Sequence, residues 1–386
     1  MTGMKQEKKA IGVYIHIPFC RKKCYYCDFY SLPDTDESLL DQYCQALVTE
    51  IETAAWRDEL MVSTIFLGGG TPSLLSARQL SGILQQIAAV FPVSSEVEIT
   101  VEANPATINL PKMEEYLTAG VNRISLGAQS FADDELTVLG RVHNAEDILS
   151  SVQILYKCGL ENFNLDLIYG IPGQSIRSWE TNLRKAMELK PAHISAYLLQ
   201  LAPQTIMARQ AEQKLLTLAD EETEAAMYEV TIDELTAGGF KQYEISNFSL
   251  PDYECRHNIF YWQSKNYLGF GAGAVSYMDN RRYINKPELF NYMESLRSGK
   301  LPPTEELENM SLKEQLADAI VLGLRLSQGI NIEEINKRFD IDFIKEYSYE
   351  IKNNIEKGLL NLNNGQLALT RRGYFLSNEV LCHFVA

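Results

Sequence analysis

Six short apolar segments alternate with longer segments of helical periodicity through most of the chain. The strand-like segments are Ile11–Ile17, Thr64–Leu67, Val97–Val101, Arg123–Leu126, Phe163–Ile168 and His193–Leu199. The helical segments are Leu39–Glu59, Ala77–Val90, Pro111–Ala119, Ala145–Cys158, Ile176–Leu189 and Glu221–Ala237. Six βα units in series predict an α/β fold with a parallel sheet covered by helices. The periodicity leaves open whether this sheet is doubly wound or forms a partial barrel.

Three of the seven cysteines, Cys20, Cys24 and Cys27, follow the first predicted strand with the spacing C-x3-C-x2-C. A structural zinc site needs four protein ligands, and the chain has no second C-x-x-C and no downstream His pair at the required spacing. Clustered thiols without a ligand are the alternative, but reactive cysteines are not usually left together in this way. Three thiolates from one loop can bind three irons of a [4Fe–4S] cluster, and the fourth iron then stays open to a small molecule.

This loop resembles the signature of the radical S-adenosylmethionine superfamily, in its cysteine spacing, in Tyr26 before the third cysteine and in its place after a strand. The resemblance implies a partial (β/α)6 TIM-like barrel. It also implies that the fourth iron of the [4Fe–4S] cluster binds S-adenosylmethionine, and that the reduced cluster cleaves it to methionine and a 5′-deoxyadenosyl radical. A reductant such as a flavodoxin-type donor is then a partner. The cations Arg21, Lys22 and Lys23 either mark a docking surface for that acidic donor or form a solvated basic loop.

Polar residues and glycines follow the predicted strands at their carboxyl ends. Gly68–Gly70 follow the second strand, Glu102 the third and Gln129 the fourth, and Asp166 lies on the fifth. Ligands of βα proteins gather at this edge of the sheet. Taken singly, the glycines could form a tight turn and the carboxylates could be buried and paired within the barrel. Their joint position at one edge of the sheet favours a single ligand site.

Five segments, YIHIPFC, LGGGTP, VEANP, LGAQSF and DLIYGIPGQ, resemble the oxygen-independent coproporphyrinogen III oxidase branch of this superfamily, and the match runs from about Gly12 to Val275. The resemblance implies a set of S-adenosylmethionine contacts, which are Tyr14, Gly70, Thr71, Glu102, Gln129, Arg141 and Asp166. It places Tyr26 against a second S-adenosylmethionine. The carboxylates suit hydroxyl or ammonium groups of a ligand, and the guanidinium of Arg141 suits a carboxylate.

The chain departs from the oxidases at one position of the loop. Members with oxidase activity carry a further cysteine in the pattern C-x3-C-x2-C-x-C, and Phe29 occupies that position here. The departure leaves the three cluster cysteines in place but counts against oxidative decarboxylation. Enzymatic activity therefore stays open, and no catalytic residue is assigned.

The segment from His257 to Trp262 reads H-N-x-x-Y-W, which resembles a motif of the heme chaperones in this branch. His257 offers an imidazole beside large aromatic side chains, and heme needs both an iron ligand and flat apolar contacts. The alternative is a structural histidine whose ring nitrogens are satisfied in an aromatic core. The resemblance implies a protein that binds heme and passes it to acceptors, while an oxygen-independent coproporphyrinogen III dehydrogenase remains the competing function.

The pattern changes after Pro302. Helical stretches at Leu312–Leu326, Ile332–Phe339 and Ile344–Lys357 precede two short strands at Leu359–Leu362 and Leu367–Thr370. Three helices and a hairpin predict a winged-helix-like, mostly α domain, which the resemblance places over the open barrel. The predicted division is a barrel at 1–250, a connecting segment at 251–302 and this domain at 303–386.

Composition restricts the partners. The formal net charge of −16 opposes sequence-independent nucleic-acid binding, which depends on neutralising phosphates. No apolar run approaches the ~20 residues of a membrane-spanning helix, and the clustered thiols indicate a reducing cytoplasm. The expected partners are heme-acceptor proteins, with membrane respiratory enzymes as candidates. Cys44, Cys158 and Cys382 have no assigned role.

Overall fold

A computed structural model describes residues 8–33, 36–54 and 59–385. The strands are β1 Lys9–Ile17, β2 Phe19–Cys20, β3 Leu32–Pro33, β4 Leu60–Gly69, β5 Val93–Ala103, β6 Arg123–Gln129, β7 Phe163–Tyr169, β8 His193–Leu198, β9 Lys241–Gln242, β10 Asn247–Ser249, β11 Tyr267–Phe270, β12 Val275–Met278, β13 Arg281–Asn285, β14 Thr304–Asn309, β15 Ile330–Asn331, β16 Leu360–Asn363 and β17 Gln366–Leu369.

The helices follow the strands in the order expected for βα units. They are α1 Glu37–Thr53, α2 Ala77–Val90, α3 Leu110–Thr118, α4 Asp133–Leu139, α5 Ala145–Lys157, α6 Ile176–Glu188, α7 Ile206–Glu212, α8 Glu221–Ala237, α9 Arg256–Trp262, α10 Leu289–Arg297, α11 Leu312–Gly323, α12 Ile332–Phe339, α13 Phe343–Glu346, α14 Ser348–Glu356, α15 Arg371–Phe375 and α16 Ser377–Cys382. A short 3-10 helix spans Pro72–Leu74. In the described part of the chain, no helix is both long and apolar enough to cross a membrane.

The large sheet has the order β14-β13-β12-β11-β1-β4-β5-β6-β7-β8-β10-β9. Strands β1, β4, β5, β6, β7 and β8 pair in parallel in the order of the chain, as six consecutive βα units require. All six contribute side chains to one internal cavity, so the sheet is curled into a partial barrel. The predicted α/β partial barrel is confirmed.

Alternation along the parallel strands separates two environments. On β1, Ile11, Val13, Ile15 and Ile17 are fully buried against the helices. Tyr14 lies on the opposite face and lines the internal cavity. This period of two assigns the apolar positions to the helix layer and the polar ones to the barrel interior.

Helix boundaries follow local capping. Helix α1 begins after Asp36, whose carboxylate accepts a hydrogen bond from the Leu39 backbone N–H at 2.7 Å, and it ends at Thr53. The helix predicted at Leu39–Glu59 therefore ends earlier, and residues 55–58 of that range lie outside the described residues. Helices α2 and α8 have the predicted boundaries, because Ser76 and Asp220 cap their first turns.

A second hydrophobic core lies between Leu316 and Phe384. It combines helices α11, α12 and α14 with a sheet in the order β15-β17-β16, which is consistent with the predicted winged-helix-like domain. The single helix predicted at Ile344–Lys357 is wrong, because the chain breaks at Tyr347 into α13 and α14. The domain boundaries at 250 and 302 stay predictions.

The second core is joined to both ends of the large sheet. Asp318 on α11 forms an ion pair with Arg282 on β13 at 3.3 Å. At the other end, the Ser327 backbone N–H donates to the Tyr243 carbonyl at 2.9 Å, and Arg325 lies 3.5 Å from the buried Glu244 carboxylate. The C-terminal part of the chain therefore spans the opening between the two ends of the curled sheet.

Candidate functional site

The three predicted cluster cysteines lie in one loop at the carboxyl end of β1. Pairing of β2 with β3 closes the base of this loop. The Gly70 and Thr71 backbone N–H groups donate to the carbonyls of Ile17 and Phe19, at 2.8 and 2.7 Å, and hold the loop against the end of β4. A Cβ atom at Gly70 would lie 2.6 Å from the Phe19 carbonyl oxygen, so this contact needs glycine.

Polar side chains from other strand ends reach the cysteines. The Thr71 hydroxyl lies 3.5 Å from Cys20 Sγ, and Arg141 Nη1 lies 3.3 Å from Cys24 Sγ. Burial raises the pKa of the Cys27 thiol to about 11 and also raises the pKa of the Cys20 thiol. Both thiols are therefore protonated when free and release protons when they bind iron.

Arg141 is held by the ends of two neighbouring strands. Its Nη2 donates to Asn104 Oδ1 at 2.9 Å and to the Gly127 carbonyl at 2.8 Å, while its Nε has no hydrogen-bond partner among the described residues. Gln129 is buried next to it with a left-handed φ of 65°. Tyr26 contacts the same guanidinium, and burial raises the pKa of its phenol. The structure thus brings Arg141, Gln129 and Tyr26 to the cysteine loop.

The barrel interior contains a cavity of about 190 Å3 beneath the loop. It holds three of the predicted S-adenosylmethionine contacts, Tyr14, Glu102 and Asp166. Burial and the nearby Asp166 raise the pKa of Glu102 to about 8, although Glu102 Oε2 accepts a hydrogen bond from the Gly69 N–H at 3.1 Å. Near neutral pH this carboxyl is therefore mainly protonated and able to donate a hydrogen bond.

Asp166 is held by a network that the sequence analysis missed. Its carboxylate accepts hydrogen bonds from Ser125 Oγ at 3.0 Å and from Asn164 Nδ2 at 2.7 Å, and the positive charge of Arg123 opposes the rise of its pKa caused by burial. Asn164 and Asp166 are two positions apart on β7, and Arg123 and Ser125 are two positions apart on β6. Residues two positions apart on a strand point to the same face of the sheet, so this i, i+2 spacing was the signal that could have placed Arg123 and Asn164 in the barrel interior.

His257 lies beside Gly12 on β1 and Thr64 on β4, in the amino-terminal half of both strands, whereas the cysteine loop follows the carboxyl end of β1. Its ring stacks on Phe66 at 5.2 Å, and both ring nitrogens are engaged, Nδ1 with Thr64 Oγ1 at 2.8 Å and Nε2 with the Tyr261 hydroxyl at 2.9 Å. The side chain is 1% exposed, and burial lowers its pKa to about 3. In this conformation both ring nitrogens already have hydrogen-bond partners. Phe66 stacks on both His257 and Tyr14, so one side chain separates the imidazole from the predicted S-adenosylmethionine contacts that line the cavity.

The helix that carries the H-N-x-x-Y-W motif contacts both β5 and the C-terminal part of the chain. The carboxylate of Glu98 accepts hydrogen bonds from the Arg256 and His257 backbone N–H groups, both at 3.1 Å, and so caps the start of α9. Trp262, at the end of α9, lies beneath the Arg325 guanidinium at 4.4 Å. The motif therefore links the barrel floor to the C-terminal core.

Comparison with known proteins decides the family. The sequence matches the Radical SAM superfamily over residues 14–186 and the HemN C-terminal domain over residues 310–376. It is 37% identical over 381 residues to the heme chaperone HemW of Lactococcus lactis, covering 98% of each chain. It is 36% identical to the heme chaperone HemW of Bacillus subtilis, covering 97% of this chain and 99% of that protein. The chain belongs to the HemW family of the radical SAM superfamily.

The chain shares its fold with a solved oxidase. The structure of coproporphyrinogen III oxidase (HemN) from Escherichia coli superposes with a TM-score of 0.84, covering 100% of this chain and 92% of that one at 24% identity. At this identity the likeness shows the common fold alone. The family resemblance deduced from the motifs is confirmed.

Membership of the radical SAM superfamily implies a [4Fe–4S] cluster and S-adenosylmethionine, and the residues fit both groups. The loop presents three half-buried thiols next to the buried guanidinium of Arg141, whose charge complements thiolates. Among the described residues no three side chains converge on a single metal ion, whereas each iron of a cluster takes its own thiolate. The unpartnered Nε of Arg141 and the cavity around Glu102 offer hydrogen bonds to a polar ligand.

Proposed function

We propose that this protein is a heme chaperone, which binds heme and transfers it to acceptor proteins. The observation that carries the proposal is the identity of 36–37% to heme chaperones HemW along nearly the whole chain. Phe29 supports it, because this residue occupies the position of the fourth motif cysteine of the oxidases to which the loop is otherwise similar.

In this proposal Cys20, Cys24 and Cys27 hold the [4Fe–4S] cluster. S-adenosylmethionine is contacted by a set of residues at the strand ends, which are Tyr14, Gly70, Thr71, Glu102, Gln129, Arg141 and Asp166. Tyr26 contacts a second S-adenosylmethionine. When bound and reduced, the cluster supplies an electron that can cleave S-adenosylmethionine. The chain's own contribution is to orient the ligand with Asp166 and Arg141 and to keep a proton on Glu102 near neutral pH.

The proposed surroundings are the cytoplasm, a flavodoxin-type reductant and heme-acceptor proteins, with membrane respiratory enzymes as candidates. Arg21, Lys22 and Lys23 support docking of an acidic donor close to the cysteines. His257 as the heme ligand stays a prediction. Its two hydrogen bonds within the barrel count against it, since both nitrogens would have to lose or exchange a partner.

Two assays on the anaerobically reconstituted protein test the proposed function. Heme titration should produce a saturable Soret band, and mixing with an excess of an apo-heme protein should shift that band to the spectrum of the acceptor. Incubation with coproporphyrinogen III, reductant and S-adenosylmethionine should give no protoporphyrinogen. Sustained turnover of coproporphyrinogen III would show that the oxidase function is the correct one. Absence of both heme binding and turnover would show that both assignments are wrong.

A further inference from the structure

The barrel interior is unsuited to a heme macrocycle. Its cavity of about 190 Å3 is smaller than the roughly 300–1,000 Å3 of typical small-molecule sites. Apart from Phe66 and the aromatic rings at its mouth, the side chains that line it carry carboxyl, hydroxyl, amide or guanidinium groups. Four of the five histidines have both ring nitrogens within hydrogen-bond distance of an oxygen, and they are His16, His143, His193 and His257. A bound heme must therefore find its flat apolar contacts outside the barrel interior.

Two aromatic side chains stand at the mouth of this cavity. Phe29, in the cysteine loop after β1, is 61% exposed, and Tyr197, near the end of β8, is 39% exposed. Both line the cavity, and the other side chains that line it are buried or half-buried. Strands β1 and β8 are the first and last of the six parallel βα strands; Phe29 follows β1 and Tyr197 lies on β8, so two rings from the opposite ends of this series line the same cavity.

The loop that carries Phe29 is positively charged in an acidic protein. Between residues 18 and 33, Arg21, Lys22 and Lys23 face a single carboxylate, Asp28, which leaves a formal charge of +2 from three cations and one anion. Lys23 Nζ donates to the Phe29 carbonyl at 2.9 Å, Arg21 donates to the Ala106 carbonyl at 3.3 Å, and Lys22 lies over the Tyr25 ring at 5.0 Å. Because these partners are neutral, the cations keep their charge for an anionic ligand.

We infer that Phe29 and Tyr197 bind the heme macrocycle at the barrel mouth, and that Lys23 pairs with a heme propionate. This inference rests on the proposed function, since it names the surface on which that function operates. A porphyrin offers two apolar faces and two carboxylates, which match exposed aromatic rings beside a cationic loop. It also gives Phe29 a role: the side chain in place of the oxidases' cysteine would contact the macrocycle directly.

The test is a titration of the reconstituted full-length protein with heme and with iron-free protoporphyrin IX. Phe29→Ala and Tyr197→Ala should each weaken binding of both probes about tenfold, or about 1.4 kcal/mol. Phe290→Ala is the matched control, because Phe290 on α10 is 71% exposed and does not line the cavity. Phe29→Leu and Tyr197→Phe are the conservative variants, because they keep an apolar side chain at each position. Cluster content and far-UV spectra equal to those of the parent protein show that each variant is folded.

The charge contact is tested with an esterified probe. Lys23→Gln should weaken binding of heme but leave binding of heme dimethyl ester unchanged, because the ester lacks carboxylates. Wild-type titration curves for Phe29→Ala and Tyr197→Ala, with heme bound normally by the parent protein, would overturn the inference and leave the proposed function standing. No heme binding by the parent protein would overturn both.

Discussion

Replacing His257 by alanine should destabilise the protein strongly, whether or not heme is present. The imidazole is 1% exposed, stacks on Phe66 and is hydrogen-bonded at both nitrogens. Alanine would leave a cavity beneath Phe66 and two hydroxyls, those of Thr64 and Tyr261, without their partner.

Two terms set the size of this effect. Deleting a buried ring typically costs about 3–5 kcal/mol, and leaving a buried polar group unpaired costs about 1–3 kcal/mol. These terms overlap because the cavity lets the two hydroxyls relax, so we expect a loss of about 3–5 kcal/mol in the free energy of unfolding. Domains usually have ~5–15 kcal/mol in total, so such a variant could lose heme through unfolding alone.

The assay must therefore separate stability from iron ligation. Urea unfolding followed by tryptophan fluorescence, at equal cluster occupancy, should show the loss in His257→Ala. Thr64→Val keeps the imidazole but removes the hydroxyl that bonds its Nδ1, and it should cost about 1–3 kcal/mol. If His257→Ala changes the unfolding free energy by less than about 1 kcal/mol while its Soret band disappears, the imidazole is a heme ligand and the reasoning from its burial is wrong.

Three further outcomes are expected. The free energy of unfolding of Glu102→Gln should increase relative to that of the parent protein as the pH rises from 5 to 8, by at most about 1.4 kcal/mol per pH unit in urea unfolding. The reason is that the folded-state pKa of Glu102 is raised to about 8, so that its ionisation in the folded parent protein costs free energy. Gly70→Ala should lose bound iron after reconstitution, since its Cβ would meet backbone oxygens of the cysteine loop, whereas Gly82→Ala, with no atom within 4 Å of its Cβ, should keep it. Arg371→Ala should cost less than about 1 kcal/mol in thermal unfolding, because its pair with Asp233 is largely exposed. An iron content of Gly70→Ala equal to that of Gly82→Ala, a pH-independent Glu102→Gln difference, or a large Arg371→Ala effect would contradict these expectations.

The sequence predicted the parallel core well because each strand and helix is specified locally. Buried strands such as Ile11–Ile17 need β-branched apolar runs, and helices such as Ala77–Val90 need a capping residue and an apolar stripe. The predicted helix boundaries were less accurate where no strong capping or helix-breaking residue marks the end of the helix. The break at Tyr347 is an example, since its neighbours continue a helical pattern on both sides.

The function of a side chain was harder to predict than its position. His257 has the same neighbours in sequence whether it binds iron or fills the barrel floor. The difference lies in Thr64 and Phe66, which are 193 and 191 positions away in the chain and reach it through the curl of the sheet. Arg123 and Asn164 were missed for the same reason, because the cavity they line exists after all six strands have met.

The sequence by itself determined the βα order, the three cysteines in one loop and the departure at Phe29, because these depend on residue type and on short spacings. The tertiary structure decided which polar groups share a cavity, that both nitrogens of His257 are occupied, and that Phe29 and Tyr197 flank one opening. Those relations depend on strand register and sheet curvature, which bring together residues far apart in the chain.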